Sequence, residues 1–408
     1  MLESFQLPAT TLLGEETEVL APLLWQGAQT RQQLAFAIRH SRSKLGQLLD
    51  GLLHAGWVEE MGQRDSVGGR KAALYGLNPA CGHHLGVELS SREVRVVLAD
   101  AALNILEVQT EPTLLTQGPG VVMARIRQIM DGLLKTHHIS QDQVLGLSMG
   151  VPSPVEKPSG LLVGPNLMPG WEGFSVRDDF SHHYNIPVHV DNTTNLMALG
   201  ELWHARRQGE GPQFESFLVL NLSSTFGAGM VIAGQLYRGS SGGAGEIAHM
   251  PLDPEGPRCH CGQQGCLERM AGAQALLEQA TEAGTQGKSR YLHHLLSQQG
   301  SLSLQDLTRA AGAGDAEASR IIHSAGLKIG QVLAGLTNML CPSHILVGGE
   351  LAHIGPLMLA GIRQSVYGRA MPLATRKLNV DYTRLGKHSG LRGSLVHSIL
   401  CHWGLQGG

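Results

Sequence analysis

Residues 245–268 constrain this 408-residue chain more than any other stretch. Cys259, Cys261 and Cys266 lie close together there, and His249 precedes them. Thiolate and imidazole donors suit Zn²⁺, and three cysteines with one histidine complete a tetrahedral coordination without an open position. The pattern therefore predicts a closed, structural zinc site. His260 is the alternative fourth ligand, and three buried thiols beside an unrelated histidine are the competing interpretation.

The same stretch resembles the signature of the ROK family of repressors and sugar kinases. It reads G-E-I-x-H, followed by C-x-C-G-x-x-G-C-x-E. The resemblance implies that the histidine and the three cysteines hold zinc, and that Glu246, His249 and Glu268 bind sugar hydroxyls. Carboxylates and imidazoles are good partners for a polyol, and a metal on one ring nitrogen fixes the role of the other.

Composition excludes several classes of protein. The chain has 31 lysines and arginines against 34 aspartates and glutamates, so its bulk charge predicts neither a nucleic-acid nor a membrane partner. We find no secretory leader and no run of 18 apolar residues. Six cysteines, three of them clustered, are unlike an extracellular disulfide framework. These features predict a soluble, cytoplasmic protein.

Residues 1–80 carry three helical patterns. The first covers residues 15–25, and the second follows Thr30, which forms a capping box with Gln33. Ser41 caps the third. Its apolar residues recur at the spacing of a buried helix face: Leu45, Leu48, Leu49, Leu52 and Leu53.

A predicted hairpin follows these helices. Residues 57–61 and 73–77 read as its strands, and residues 62–71 form its tip, with Arg70 and Lys71 beside two glycines. Helices and hairpin together predict a winged helix-turn-helix. The segment resembles the one that precedes the sugar domain in ROK repressors, where a Gly-Arg-Pro-like wing is usual, whereas this chain has lysine in place of the proline.

The charge pattern of this segment favours DNA as its partner. Residues 19–49 contain no acid, and phosphates attract such an uncompensated basic surface. A protein-interaction or dimerisation domain is the alternative. The predicted DNA contacts are Arg31, Arg39, Arg42, Ser43 and Lys44, with Arg70 and Lys71 in the wing.

The remaining chain predicts an α/β fold in two lobes. The first lobe is residues 81–190, completed by a C-terminal helix in residues 387–408, and the second lobe is residues 191–386. Strands and a helix in the order β-β-β-α-β open the first lobe. This order resembles one half of the actin-like, ribonuclease-H-like fold of sugar kinases. The last helix is expected to return to the first lobe.

Three departures from the ROK kinase pattern predict a lost kinase activity. Residues 88–92 read Glu-Leu-Ser-Ser-Arg where the kinases have Asp-x-Gly-Gly-Thr, so both phosphate-loop glycines are missing. Thr193 replaces the aspartate that serves as general base in the kinases. The loop at 223–228 keeps only the second half of a Gly-rich phosphate loop. ATP is therefore not expected as a cofactor.

The predicted sugar pocket nevertheless remains. The resemblance assigns sugar contacts to Asn166, Asn192, Glu246, His249 and Glu268, although Asn166 has a loop-capping role as its alternative. We therefore expect a sugar-responsive transcription factor that acts as a repressor, with a sugar or sugar phosphate as its effector. It is expected to bind a palindromic operator as a homodimer or homotetramer. An active sugar kinase with a DNA-binding head and a regulator that senses a partner protein are the alternatives.

Overall fold

The computed structural model describes residues 14–64, 72–157, 159–163, 168–181 and 183–405. The helices are α1 (Gly14–Gln26), α2 (Arg31–Ala37), α3 (Arg42–His54), α4 (Pro119–Thr136), α5 (Val176–Ser181), α6 (Thr193–Arg207), α7 (Leu267–Ala271), α8 (Ala273–Thr285), α9 (Arg290–Gln299), α10 (Leu304–Gly312), α11 (Ala316–Leu340), α12 (Pro356–Arg369), α13 (Pro372–Thr375) and α14 (Ser389–His402). The strands are β1 (Gln29–Thr30), β2 (Val58–Arg64), β3 (Ala72–Leu77), β4 (His83–Leu89), β5 (Glu93–Asp100), β6 (Ile105–Pro112), β7 (Val144–Val151), β8 (Val188–Asn192), β9 (Phe217–Leu222), β10 (Phe226–Ile232), β11 (Gln235–Tyr237), β12 (His344–Gly348) and β13 (Asn379–Tyr382).

The N-terminal segment, residues 14–77, packs α1, α2 and α3 against a three-stranded sheet of order β1-β3-β2. Its helices begin where the sequence places caps. The Thr30 hydroxyl accepts from the Gln33 backbone amide at 3.2 Å, and the Gln33 side chain accepts in return from the Thr30 amide at 2.9 Å. Ser41 caps α3 by accepting from the Lys44 amide. These caps satisfy amides that have no partner inside their helices.

A five-stranded sheet of order β6-β5-β4-β7-β8 follows. β4 pairs antiparallel with β5 and parallel with β7, so the predicted β-β-β-α-β order is present. The apolar face of α4 packs on this sheet through Val122, Met123, Ile126, Ile129, Met130, Leu133 and Leu134. The C-terminal helix α14 contacts the same part of the chain, where the Arg392 guanidinium donates to the Leu103 carbonyl.

The second five-stranded sheet has the order β11-β10-β9-β12-β13. β9 and β12 run parallel, whereas β10 turns back antiparallel on β9. The long helix α11 lies against α12 at glycines: a Cβ at Gly326 would stand 2.3 Å from the Met358 carbonyl oxygen. Glycine therefore permits the close helix crossing in this core.

The chain forms two compact units. The first comprises the described residues up to Pro212 and from Gly390 onward, and the second comprises Gln213–Ser389. The proposed domain boundaries at 80 and 190 remain predictions, and α6 belongs to the first unit. In the part of the chain that the structure describes, no helix is long and apolar enough to cross a membrane.

Buried histidines are an unusual feature of the first unit. His84 is fully buried, and its Nδ1 lies 2.8 Å from the Ser398 hydroxyl. Burial holds the pKa of His84 well below its usual range, and it lowers the pKa of His189 to about 4. The pKa of His402 is likewise lowered by burial. These rings are therefore neutral in the folded protein near neutral pH.

Because the unfolded chain protonates these histidines more readily than the folded one, stability must rise with pH through the region between the folded and unfolded pKa values. We expect the free energy of unfolding to fall by about 1 kcal/mol or more between pH 7.5 and pH 5. Urea unfolding at both pH values measures it. His84→Gln should reduce this pH dependence, whereas the exposed-residue control His294→Gln should leave it intact. An unchanged pH dependence in His84→Gln would contradict the assignment.

Candidate functional site

The four predicted metal ligands come together in the second unit. One donor atom from each of His249, Cys259, Cys261 and Cys266 can be chosen so that all four lie within 4.8 Å of one another. Cys259 and Cys266 are buried, whereas Cys261 and His249 are partly exposed. The structure thus assembles donors that are up to 17 positions apart in the sequence into one cluster.

The spacing of these donors fits a tetrahedral ion. With the usual Zn–S and Zn–N bond lengths, the edges of the tetrahedron are about 3.8 Å between two sulfurs and about 3.6 Å between a sulfur and a nitrogen. The Cys261 and Cys266 sulfurs are 3.6 Å apart, and the Cys259 sulfur lies 3.6 Å from His249 Nδ1. The donor set therefore fits Zn²⁺ in both chemistry and size.

His249 is favoured over His260 as the fourth ligand. His260 Nδ1 lies 3.8 Å from the Cys259 sulfur, but His260 is outside the set of mutually close donors. Burial, and then the neighbouring His260, lower the pKa of His249, so its ring is neutral, as metal ligation requires. With Nδ1 facing the sulfurs, Nε2 is left for other partners.

The backbone between these ligands is shaped by glycine. Gly265 has a φ of 61°, and a Cβ there would stand 1.7 Å from the Asp253 carbonyl oxygen. Only glycine permits this approach. The turn is held by the Cys259 amide, which donates to the Gln263 carbonyl at 2.8 Å, and by a bridge between Pro251 and Cys266. The loop thereby returns Cys266 to the cluster and starts α7 directly after it.

Two carboxylates lie beside the cluster. Glu268, in the first turn of α7, accepts a hydrogen bond from the Phe226 amide at 2.7 Å. Burial raises the pKa of Glu268, although the Phe226 amide opposes the shift. The Glu246 residue is exposed, yet the surrounding protein desolvates its carboxylate, and this effect, followed by repulsion from Glu268, raises its pKa to about 7. Such acceptors suit neutral hydroxyl donors.

In the first unit, Asn192 ends β8 and caps α6. Its side-chain oxygen accepts from the Thr194 amide at 2.8 Å, and its nitrogen donates to the Ser153 carbonyl at 3.1 Å. Thr193 follows as the first residue of the helix. Asp191 is buried and accepts from the Asn195 side chain at 2.8 Å, so it is engaged inside the unit. The Asp191 carboxylate is therefore occupied by neighbouring groups of the same unit.

The β4–β5 turn lacks the features of a phosphate loop. Glu88 forms an ion pair with Arg95 at 2.7 Å, and both side chains are largely buried. A Cβ at Gly390 would stand 2.4 Å from a Glu88 carboxylate oxygen, so this acid sits against the start of α14. The Ser90 hydroxyl accepts from the Glu93 amide, which closes the turn on itself. Residues 90–92 of the turn are Ser-Ser-Arg, so the backbone there carries side chains where a phosphate loop has glycines.

The predicted DNA contacts divide into two groups. Arg31 donates to Asp50 at 2.6 Å and to the Tyr75 hydroxyl at 3.2 Å, and Lys44 pairs with Glu15 at 2.7 Å. Both acids stand just outside the acid-free stretch 19–49, where the sequence pattern did not reveal them. The second group is exposed at the start of α3 and just before it: Arg39, Arg42 and Ser43.

Some predicted site residues lie outside the described part of the chain, namely Asn166, Arg70 and Lys71. Sequence reasoning also missed several residues. Phe36 on α2 is 94% exposed and lies close in sequence to the exposed arginines. Its helical spacing did not predict an exposed aromatic side chain. Trp203, Arg206 and Arg207 at the end of α6 contact α1. Their aromatic and cationic character was the available signal.

Fold and site together define a sugar-kinase-like α/β protein with a cluster of donors that could hold a metal ion. Residues 84–398 match the ROK family, and the chain belongs to that family. Its two-lobed sheet architecture is the actin-like fold of ROK sugar kinases.

Relatives of known name fall into two kinds. A glucokinase of Halalkalibacterium halodurans is 30% identical over 76% of this chain and 93% of its own length. A xylose repressor of Caldicellulosiruptor bescii is 26% identical over 93% of this chain and 94% of its own. Among solved structures, a ROK family transcriptional regulator described as a homologue of Escherichia coli Mlc has a TM-score of 0.79 at 23% identity, covering 95% of this chain and 96% of its own.

Metal content tests the cluster. We expect the purified chain to carry about one zinc, and Cys266→Ala to lose it and to melt at a temperature lower by about 5 °C or more, because a structural zinc contributes folding free energy. Elemental analysis and thermal unfolding measure the two effects. The exposed Cys341→Ala is the matched control and should behave as the unaltered chain. Equal metal content in the two variants would contradict the ligand assignment.

Proposed function

We propose that the protein is a sugar-responsive DNA-binding transcriptional repressor of carbohydrate genes, with zinc as a structural ion. The observation that supports the proposal is the position of Glu246 and Glu268 beside His249, which belongs to a cluster of donors that could hold a metal ion. Carboxylates of raised pKa and a fixed imidazole are partners for sugar hydroxyls rather than for a cationic ligand. Asn166 and Asn192 complete the proposed sugar contacts.

The N-terminal segment supports the DNA-binding part of the proposal. α2 and α3 follow one another as two short helices with a tight turn, and the β2–β3 hairpin comes after them as a wing would. Arg39, Arg42 and Ser43 are exposed at the N-terminal end of the second helix, the end that approaches base edges in such motifs. The relative named xylose repressor covers this segment, whereas the glucokinase match spans less of the chain.

Loss of kinase activity is the finer part of the proposal. Thr193 offers a neutral hydroxyl where a general base would need to accept a proton, and a missing base costs about 10²–10⁴ in rate. Ser-Ser-Arg at residues 90–92 fills the β4–β5 turn, so neither glycine of a phosphate loop is present there. An active sugar kinase with a DNA-binding head remains the second candidate, because a glucokinase is among the relatives.

A thermal-shift assay separates these candidates. D-Xylose, D-glucose, N-acetylglucosamine and their phosphates are added singly, and ATP with Mg²⁺ is a further sample. A ligand at 100 times its Kd stabilises the folded state by about 2.7 kcal/mol, so one sugar should raise the melting temperature by several degrees. ATP with Mg²⁺ should produce no shift. A shift with ATP, together with phosphorylation of the sugar, would contradict the proposal.

Glu268→Gln tests the proposed pocket. The amide oxygen still accepts from the Phe226 amide, but the charged acceptor for a sugar hydroxyl is lost, which should weaken sugar binding about 10-fold or more. Calorimetric titration with the sugar identified above measures the change. The control is Glu278→Gln, a surface carboxylate of the same unit that pairs with Arg269. Equal affinities in the two variants would place the sugar elsewhere.

Arg39→Ala combined with Arg42→Ala tests the DNA-binding surface. The DNA is a duplex selected from a random library by the unaltered chain. Because each lost phosphate contact removes released counterions, affinity should fall about 10-fold or more, and the slope of log K against log salt should shrink by about 2. Fluorescence anisotropy across salt concentrations measures both. Arg309→Ala, an exposed arginine of the second unit, should change neither.

A further inference from the structure

Helix α6 joins two regions that the proposed function must connect. It begins at Thr193, directly after the proposed sugar contact Asn192, and it ends at Arg207 against the DNA-reading segment. At 1.5 Å per residue, its 15 residues span about 22 Å. Helix α6 thus extends from the proposed sugar contact Asn192 to the DNA-reading segment within the first unit.

The N-terminal end of α6 carries a buried polar atom that has no hydrogen-bond partner in the described part of the chain. Thr193 is 5% exposed, and its hydroxyl has no hydrogen-bond partner among the residues that the structure describes. A buried hydroxyl without a partner is costly, so a ligand hydroxyl that reaches Thr193 removes that cost. The amides of a helix N-terminus and the Asn192 side chain lie at the same place. A ligand bound at this place would therefore contact the first turn of α6.

The C-terminal end of α6 caps helix α1. The Trp203 indole N–H donates to the Leu24 carbonyl at 3.1 Å, and the Arg207 guanidinium donates to the Leu23 carbonyl at 3.4 Å. Both carbonyls belong to the last turn of α1, and the Leu23 carbonyl also accepts from the Gly27 amide at 3.1 Å. A cation at this end also meets the negative end of the helix dipole. These bonds fix the end of α1 to the end of α6.

Two more contacts strengthen this joint. The Arg206 guanidinium lies 4.5 Å from the centre of the Trp25 ring, a cation–π distance. Gly27 ends α1 with a φ of 83°, and a Cβ there would stand 2.7 Å from an Arg207 guanidinium nitrogen. Glycine therefore leaves the space that Arg207 needs. The joint is built from side chains of both helices and from the turn between α1 and β1.

Between its two ends α6 is held rigidly. Its residues from Thr193 to Leu202 are all buried, and a Cβ at Gly393 would stand 1.7 Å from the Leu196 carbonyl oxygen, so α14 crosses it in close contact. Leu199 belongs to the same apolar core as residues of α1 and α3: Leu20, Leu23, Leu24, Leu49 and Leu52. Because close-packed interiors transmit strain, a displacement at the start of α6 is carried to its end.

From α1 the connection continues to the proposed recognition helix. α1 and α3 share that apolar core, and Glu15 in the first turn of α1 pairs with Lys44 in the first turn of α3 at 2.7 Å. The exposed Arg42 and Ser43 lie in this same turn of α3. The position of α1 therefore sets the position of the residues proposed to meet DNA.

We propose that α6 transmits the state of the sugar site to the DNA-reading helices, with Trp203, Arg206 and Arg207 as the positioning residues that hold α1. The inference rests on the proposed function and adds the route of its regulation. Sugar at the Asn192–Thr193 end favours one position of α6, and its far end turns α1 and α3 with it. Coupling of this kind is reciprocal between sugar and DNA.

The test uses the full chain, D-xylose or D-glucose, whichever binds, and the selected duplex. Three properties are measured for each variant: duplex affinity without sugar, sugar affinity without duplex, and the factor by which saturating sugar changes duplex affinity. Trp203→Phe removes only the indole donor and keeps an aromatic ring, while Arg206→Gln removes the cation over Trp25. His204→Gln, one residue away on the same helix, is the matched control.

We expect the sugar effect to be about 10-fold or more in the unaltered chain and in His204→Gln. In Trp203→Phe combined with Arg206→Gln it should fall below about 3-fold, while the two separate affinities stay within about 3-fold of the unaltered chain. A full sugar effect in the double variant overturns the role of α6 and leaves the proposed function standing. A missing sugar effect in the unaltered chain overturns both.

Discussion

Three sulfurs and one imidazole nitrogen converge in the second unit, and the geometry of the proposed sugar site depends on that convergence. The loop that carries the cysteines has few hydrogen bonds of regular secondary structure, so a bound ion with four strong ligand bonds would be its principal support. Glu268 comes two residues after the last cysteine, and Glu246 three residues before the histidine. An ion held by these four donors would therefore fix the backbone from which both carboxylates project.

The first unit obeys a different constraint. Its N-terminal helices have no separate core of their own, because apolar residues of α1 and α3 pack in one cluster with β5, α6 and α14. An N-terminal segment with a separate core would respond to little beyond its own ligands. Here the N-terminal segment is attached through capping bonds and buried side chains. A displacement of α6 or α14 therefore also changes the packing energy of the N-terminal segment.

Much of this was readable from the sequence, for identifiable reasons. Thr30, Gln33 and Ser41 predicted the starts of two helices because capping depends on neighbours three residues away. The clustering of His249 with the three cysteines was predictable because these residues lie close together in the sequence. Asp50 and Glu15 were outside the acid-free window, yet in space they neutralise Arg31 and Lys44. The joint between Trp203 and Leu24 links positions 179 residues apart. No periodicity reports such a contact, since only the folded chain brings its two partners together.

The central claim, that sugar and DNA act on one another through this chain, is tested most directly by measuring sugar affinity twice, once with the free protein and once with the protein saturated by its selected duplex. Linkage requires the two values to differ by the same factor by which sugar changes duplex affinity. The account predicts sugar binding weaker by about 10-fold or more in the presence of DNA, as expected of a repressor released by its effector. Equal sugar affinity in the two titrations would contradict it.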